Sequence, residues 1–129
     1  MISSNFKIQY KDLPKLYFDR TKLYQVFQNI ISNAVKYMNK PNGEVLITCQ
    51  EMDDHWVFSI QDNGPGIDPQ NYEKVFQMFK TLDPTNNPDS TGIGMPIVKK
   101  IIESTGGKIW IEPNPTGGTI FKFTILKVR

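Results

Sequence analysis

Leu23, Val26, Phe27, Ile30, Ile31, Ala34, Val35 and Met38 recur at the i, i+3, i+4, i+7 spacing that predicts an amphipathic helix. Asp19 stands where such a helix needs an N-cap, and Asn39-Lys40-Pro41-Asn42-Gly43 supplies turn residues to stop it. A second long helix is expected over about 96–104, closed by Thr105-Gly106-Gly107. Short apolar runs predict strands at 6–10 and 15–18, joined by a turn at Asp12-Leu13-Pro14. Longer strands are expected at 44–51 and 55–62 around a turn at Asp53-Asp54, and at 108–112 and 119–127 around the turn 113–118. A short helix is predicted around 69–79, and the polar stretch 81–91 reads as a surface loop. Hairpins with helices inserted between them imply an α+β fold. The expected architecture is a two-layer α/β sandwich: a mixed, mostly antiparallel sheet covered on one face by the two long helices.

Composition narrows the class without naming a function. A chain of 129 residues with 39% hydrophobic residues is one domain with a real core, spanning 1–129. A formal charge of +2 and dispersed lysines argue against nucleic-acid and membrane partners. The apolar runs, such as 57–60, are too short to span a bilayer, and the N-terminus does not read as a signal peptide. Cys49 is the only cysteine, which excludes an internal disulfide and suggests a buried thiol in a reducing cytoplasm. His55 begins a strand with no nucleophile or metal partner near it in sequence, so a structural role is expected.

Three polar constellations can carry chemistry. Asn29 and Asn33 are four apart and share one helix face, which Lys36 and Tyr37 continue. Amide oxygens are hard ligands suited to magnesium held with phosphates, and a lysine nearby supplies a cation for phosphate. The same pattern also fits a solvated helix face. Asp62-Asn63-Gly64-Pro65-Gly66-Ile67 follows a strand, where glycines permit a close backbone approach and Asp62 can accept from an exocyclic amine. An ordinary turn would look similar. Thr91-Gly92-Ile93-Gly94-Met95-Pro96 runs into a helix, whose N-terminal amides and dipole favour an anion. It is neither a dinucleotide fingerprint nor a Walker-type loop, and a plain helix entry remains open.

Taken together, order and spacing are specific. The sequence resembles the ATPase domain shared by histidine kinases, gyrase-type topoisomerases, heat-shock chaperones and mismatch-repair ATPases, the Bergerat or GHKL fold. Asn29 to Tyr37 looks like its N box, Asp62 to Ile67 its G1 box, and Val75-Phe76-Gln77-Met78-Phe79-Lys80 its F box. Thr91-Gly92-Ile93-Gly94 with the helix after it is similar to the G2 box, and Gly118-Thr119-Ile120-Phe121-Lys122-Phe123 fits the last strand. The resemblance covers roughly residues 15–126. It departs from the family at Met78, where proline is usual, at Lys80, where arginine is frequent, at Ser90, and at Pro96 in place of a small residue.

The resemblance implies ATP and Mg2+ as ligands, with roles by position. Asn33 and Asn29 would hold magnesium against the triphosphate, Lys36 would contact phosphate, and Tyr37 would border the nucleotide. Asp62 would accept the adenine amino hydrogen bond, with Gly64, Gly66 and Ile67 shaping the pocket and Thr119 supporting it. Lys80 and Thr91 would bound the lid over 80–91, Gly92 and Gly94 would present backbone N–H groups to the phosphates, and Ile93 and Met95 would belong to the same nucleotide-binding run. Hydrolysing and serine-kinase branches typically carry glutamate where this chain has Asn29. Asparagine cannot act as a general base, whereas a neutral histidine acceptor already carries a lone pair. The resemblance therefore points to the catalytic domain of a two-component sensor histidine kinase. Its phosphoacceptor histidine would lie on a separate dimerisation domain, and its signal would pass to a response regulator. A homodimer is expected only in the full-length kinase, and autophosphorylation is not expected from this chain alone. The competing readings are an ATP-hydrolysing machine, an anti-sigma-type serine kinase and a non-catalytic contact module.

Overall fold

The computed structural model describes residues 7–11, 13–39, 41–77 and 94–127. In chain order these form β1 (Lys7–Lys11), α1 (Arg20–Lys36), β2 (Glu44–Glu51), β3 (His55–Asp62), a 3-10 turn (Pro69–Asn71), α2 (Tyr72–Val75), α3 (Gly94–Ser104), β4 (Ile109–Pro113) and β5 (Thr119–Leu126). The five strands make one sheet in the order β1-β2-β3-β5-β4. All neighbours are antiparallel except β1 and β2, which run parallel with Ile8 beside Val45 and Tyr10 beside Ile47. The expected mixed, mostly antiparallel sandwich is what forms.

The start of the chain differs from expectation. Residues 15–18 are not a strand, and the anticipated hairpin does not exist: β1 pairs with β2 across the α1 crossover instead. The alternation that suggested a strand is real, since Leu16 and Phe18 pack on the core while Lys15 and Tyr17 are exposed. Burial alternates without a ladder partner, and a parallel pair needs a crossover longer than any tight turn. Further along, β2 and β3 fall on the expected spans, and α3 begins two residues before the expected Pro96.

Asp19 caps α1 as expected, its Oδ1 accepting from the Lys22 amide at 3.0 Å. Removing that cap should cost about 1 kcal/mol, and thermal denaturation of Asp19→Ala is expected to show a loss of a few degrees with the fold intact. At the other end, the Tyr37 amide donates to the Asn33 carbonyl at 3.2 Å. The buried stripe of α1 (Val26, Ile30, Ala34) and that of α3 (Met95, Val98, Ile101, Ile102) pack on one face of the sheet. That face presents Val45, Ile47, Phe58, Ile60, Ile111, Phe121, Phe123 and Ile125. Phe58 and Phe123 stack at 5.1 Å between centroids, and Phe27 of α1 meets both edge-on, at 5.8 and 5.5 Å. This aromatic contact fixes α1 over β3 and β5, and so fixes where the polar edge of α1 stands.

Cys49 is half-buried, short of the full burial expected, and desolvation pushes its thiol up to about 11. No helix among the described residues is long and apolar enough to cross a membrane.

Candidate nucleotide-binding site

β3 ends on Asp62, a carboxylate only 8% exposed. Its Oδ1 accepts from the Gly64 amide at 2.9 Å and from the Thr119 amide at 3.2 Å. No hydrogen bond from the described residues reaches Oδ2. Burial raises the Asp62 pKa above its ordinary value, and the two amide hydrogen bonds pull it back down. An oxygen of a largely buried carboxylate that keeps its acceptor capacity and an open side is a strong acceptor for a donor brought by a ligand.

The backbone around this acid is drawn in tightly. A Cβ on Gly64 would meet Asp62 Oδ1 at 3.2 Å and Met38 Cε at 3.8 Å, which places the end of α1 beside the Gly64 turn. Gly66 has φ +83°, and a Cβ there would press on the Gly118 carbonyl at 3.3 Å. Ile67, Tyr72, Val75 and Phe76 pack on the core from the segment that follows. Thr119 is 3% exposed, and its backbone amide reaches the carboxylate directly.

The second part of the site lies where α1 meets α3. Gly94 is the first residue of α3, and a Cβ on it would stand 3.3 Å from Asn29 Oδ1. The first amides of a helix have no intrahelical partner, so this end offers donors beside an amide oxygen. Asn29 and Asn33 are half-buried on α1, Lys36 is its exposed last residue, and Tyr37 is its half-buried C-cap. The Met95 side chain is in the hydrophobic core, so its backbone is the part available to a ligand. Lys80, Thr91, Gly92 and Ile93, and the departures at Met78 and Ser90, lie outside the described residues.

Gly118 and Asn114, read from the sequence only as turn and strand residues, also belong here. Gly118 packs against Asp62 so closely that a Cβ would overlap the Asp62 carbonyl oxygen. Asn114 donates from Nδ2 to that same carbonyl at 3.0 Å. A Gly-Gly pair after Asn-Pro-Thr signals a tight turn, but nothing local shows that the turn closes on a residue 52 positions earlier. A separate groove of about 300 Å3, lined by Lys15, Leu16, Tyr17, Trp56, Leu126 and Lys127 among others, shares no residue with this site.

An α+β sandwich with a buried acid at a strand end, and an asparagine beside a glycine-led helix start, has the form of an ATPase domain. The model of the histidine kinase-, DNA gyrase B- and HSP90-like ATPase family matches residues 18–129, and the chain belongs to that family. The phytochrome-like protein Cph1 of Synechocystis sp. is 41% identical over 95% of this chain. The methanogenesis regulatory histidine kinase FilI of Methanothrix harundinacea is 37% identical over 87%. The chain spans only 16% and 12% of those two proteins. Among solved structures, the mycobacterial sensor histidine kinase MprB superposes with a TM-score of 0.83 at 27% identity, over 95% of this chain and 83% of that one. The histidine kinase ThkA, in complex with the response regulator protein TrrA, gives 0.74 at 32% identity, over 95% and 34%. The fold and the relatives are those of histidine-kinase catalytic domains.

Proposed function

We propose that this chain is the cytoplasmic, Mg-ATP-binding catalytic domain of a larger sensor histidine kinase. It would transfer the γ-phosphoryl group of ATP to a histidine on a separate dimerisation domain, for relay to a response regulator. The observation that carries the nucleotide reading is Asp62, a largely buried carboxylate with one oxygen held by two backbone amides and the other left to accept from an adenine amino group. On this reading Oδ2 accepts the 6-amino hydrogen bond, and Gly64 and Gly66 let the base approach the backbone. The amides at the start of α3 and Lys36 contact the phosphates.

The residues present fit magnesium: Asn29 Oδ1 beside Gly94, with Asn33 one turn on, offers neutral hard oxygens to a cation that shares its charge with a triphosphate. When bound, the ion would neutralise charge on the phosphates during transfer. Asn29 and Asn33 would orient it. Neither can take a proton, so water is not activated at this position and an acceptor that carries its own lone pair is favoured. The fold class of ThkA, which was solved with a response regulator, supports the same partner class here.

The test is a thermal-shift titration with ATP or GTP, each with and without Mg2+. At tenfold excess over Kd, ATP should add about 1.4 kcal/mol, a rise of roughly 5 °C for a domain of this size. Magnesium should enlarge the ATP shift, and GTP should give little. Equal shifts for both nucleotides, or none, would remove the adenine reading. Adding a separately expressed dimerisation domain with [γ-32P]ATP should label its histidine. Labelling of this chain alone, or ATP turnover without an acceptor, would contradict the transfer reading.

A further inference from the structure

The antiparallel ladder between β3 and β5 stops one residue short of Asp62, with Gln61 opposite Ile120 as its last pair. On its other edge Asp62 still lies opposite Val45 of β2. At this point the hydrogen bonds change hands. The Thr119 amide turns to the Asp62 carboxylate, and the Asp62 carbonyl takes its donor from the Asn114 side chain at 3.0 Å. Were Thr119 to bond the Asp62 carbonyl, as a continued ladder could ask, one of the two amides that orient the carboxylate would be lost.

Asn114 is 9% exposed, and all its polar groups are engaged. Its Oδ1 accepts from the Thr116 amide at 3.3 Å and from Thr116 Oγ1 at 3.1 Å. Its own amide donates to the Gly118 carbonyl at 3.1 Å, and its carbonyl accepts from Gly117 at 2.9 Å. One face of the side chain therefore closes the β4–β5 turn, and the other reaches across to the backbone of the buried acid. Buried polar groups in a fully satisfied network hold one geometry at the expense of others.

We infer that Asn114 is a positioning residue for adenine selectivity. By occupying the Asp62 carbonyl it leaves the Thr119 amide to the carboxylate, and so keeps Asp62 Oδ2 turned to the base. The inference rests on the reading of Asp62 as the adenine acceptor. It assigns to the turn a function in choosing the nucleotide, beyond joining two strands.

Three substitutions separate these functions. Asn114→Asp keeps an acceptor for Thr116 and loses the donor to Asp62, whereas Asn114→Ala loses both. Thr116→Val removes one bond of the turn and leaves the Asn114–Asp62 contact. For each, dissociation constants would be measured for ATP and for purine riboside triphosphate, which lacks the 6-amino group, at one Mg2+ concentration. Melting temperatures would be recorded alongside.

The wild-type chain should prefer ATP by about tenfold or more, as expected for a hydrogen bond to a charged acceptor. Asn114→Asp and Asn114→Ala should shrink that preference to about threefold or less, by weakening ATP while the analogue changes less than about twofold. Thr116→Val should keep the wild-type ratio. A full preference in folded Asn114→Asp would overturn the inference. So would equal weakening of both nucleotides, or failure of both Asn114 variants to fold, since each would make the residue purely structural. A wild-type chain with no preference would instead refute the assignment of Asp62 itself, whatever the variants do.

Discussion

Gly118→Ala is expected to destabilise the domain by about 2–6 kcal/mol and to abolish ATP selectivity with it. Gly118 has φ +109°, where a side chain is strained, and a Cβ would overlap the Asp62 carbonyl oxygen and lie 2.9 Å from Asp62 Oδ1. The strained backbone conformation alone costs about 1–3 kcal/mol, and forcing a methyl into a packed site costs about 1–3 kcal/mol more. The neighbour that must yield is backbone at the end of the central strand β3, held by Val45 on one side and by Asn114 on the other. Relief by movement of a flexible side-chain tip is not available. Against a total stability of about 5–15 kcal/mol, the melting temperature should fall by at least about 7 °C. Whatever molecules remain folded must shift Asp62 and lose their preference for ATP over GTP. A variant that melts within about 2 °C of wild type and still discriminates would show that β5 does not enter the sheet where this close contact puts it.

That one glycine serves both the sheet and the site explains which features could be read from the sequence. Periodicity reports which side of an element is buried, and it located α1 and the spans of β2 and β3 because their burial alternates with the backbone period. The same signal failed at 15–18: Leu16 and Phe18 are inward-facing, but burial period carries no information about ladder partners. It could not show that β1 runs parallel to β2 either, since pairing direction depends on where α1 returns the chain. In the site, Asp62 was legible because an acid at a strand end before Gly-Pro-Gly is locally unusual. Asn29 and Asn33 were legible because helical spacing aligns them. Asn114 was not legible, because its turn bonds are local and ordinary while its bond to Asp62 exists only once β3 and β5 are adjacent. Met95 was read as part of the nucleotide-binding run because it follows Gly94. The helical turn that begins there swings its side chain into the core.

Asp62→Asn is expected to separate binding from stability, with opposite signs. In the unliganded domain the carboxylate is desolvated by burial, which raises its pKa, and the amides of Gly64 and Thr119 only partly compensate. An acid whose pKa is raised on folding binds its proton more tightly in the folded state. Its charge therefore costs stability in full above the folded pKa, and the cost is relieved as pH falls through that value. Asparagine has nearly the same shape, keeps an oxygen for both amides and carries no charge, so the unliganded variant should melt at or above the wild-type temperature at neutral pH. That difference should narrow as pH falls through the raised Asp62 pKa. Binding should move the other way. With the amide oxygen committed to Gly64 and Thr119, Nδ2 occupies the place of Oδ2, and a donor then faces the adenine amino group. Losing a hydrogen bond to a charged acceptor costs about 1.5–3 kcal/mol, a ten- to hundredfold loss of ATP affinity, while purine riboside triphosphate should bind almost as before. Calorimetric titration of both nucleotides against both proteins, with melting curves across pH, tests the two halves independently. Unchanged ATP affinity would place the base elsewhere. A variant that loses affinity and melts well below wild type would show that the carboxylate is needed for the fold, and that the charge is not held at a cost for the ligand.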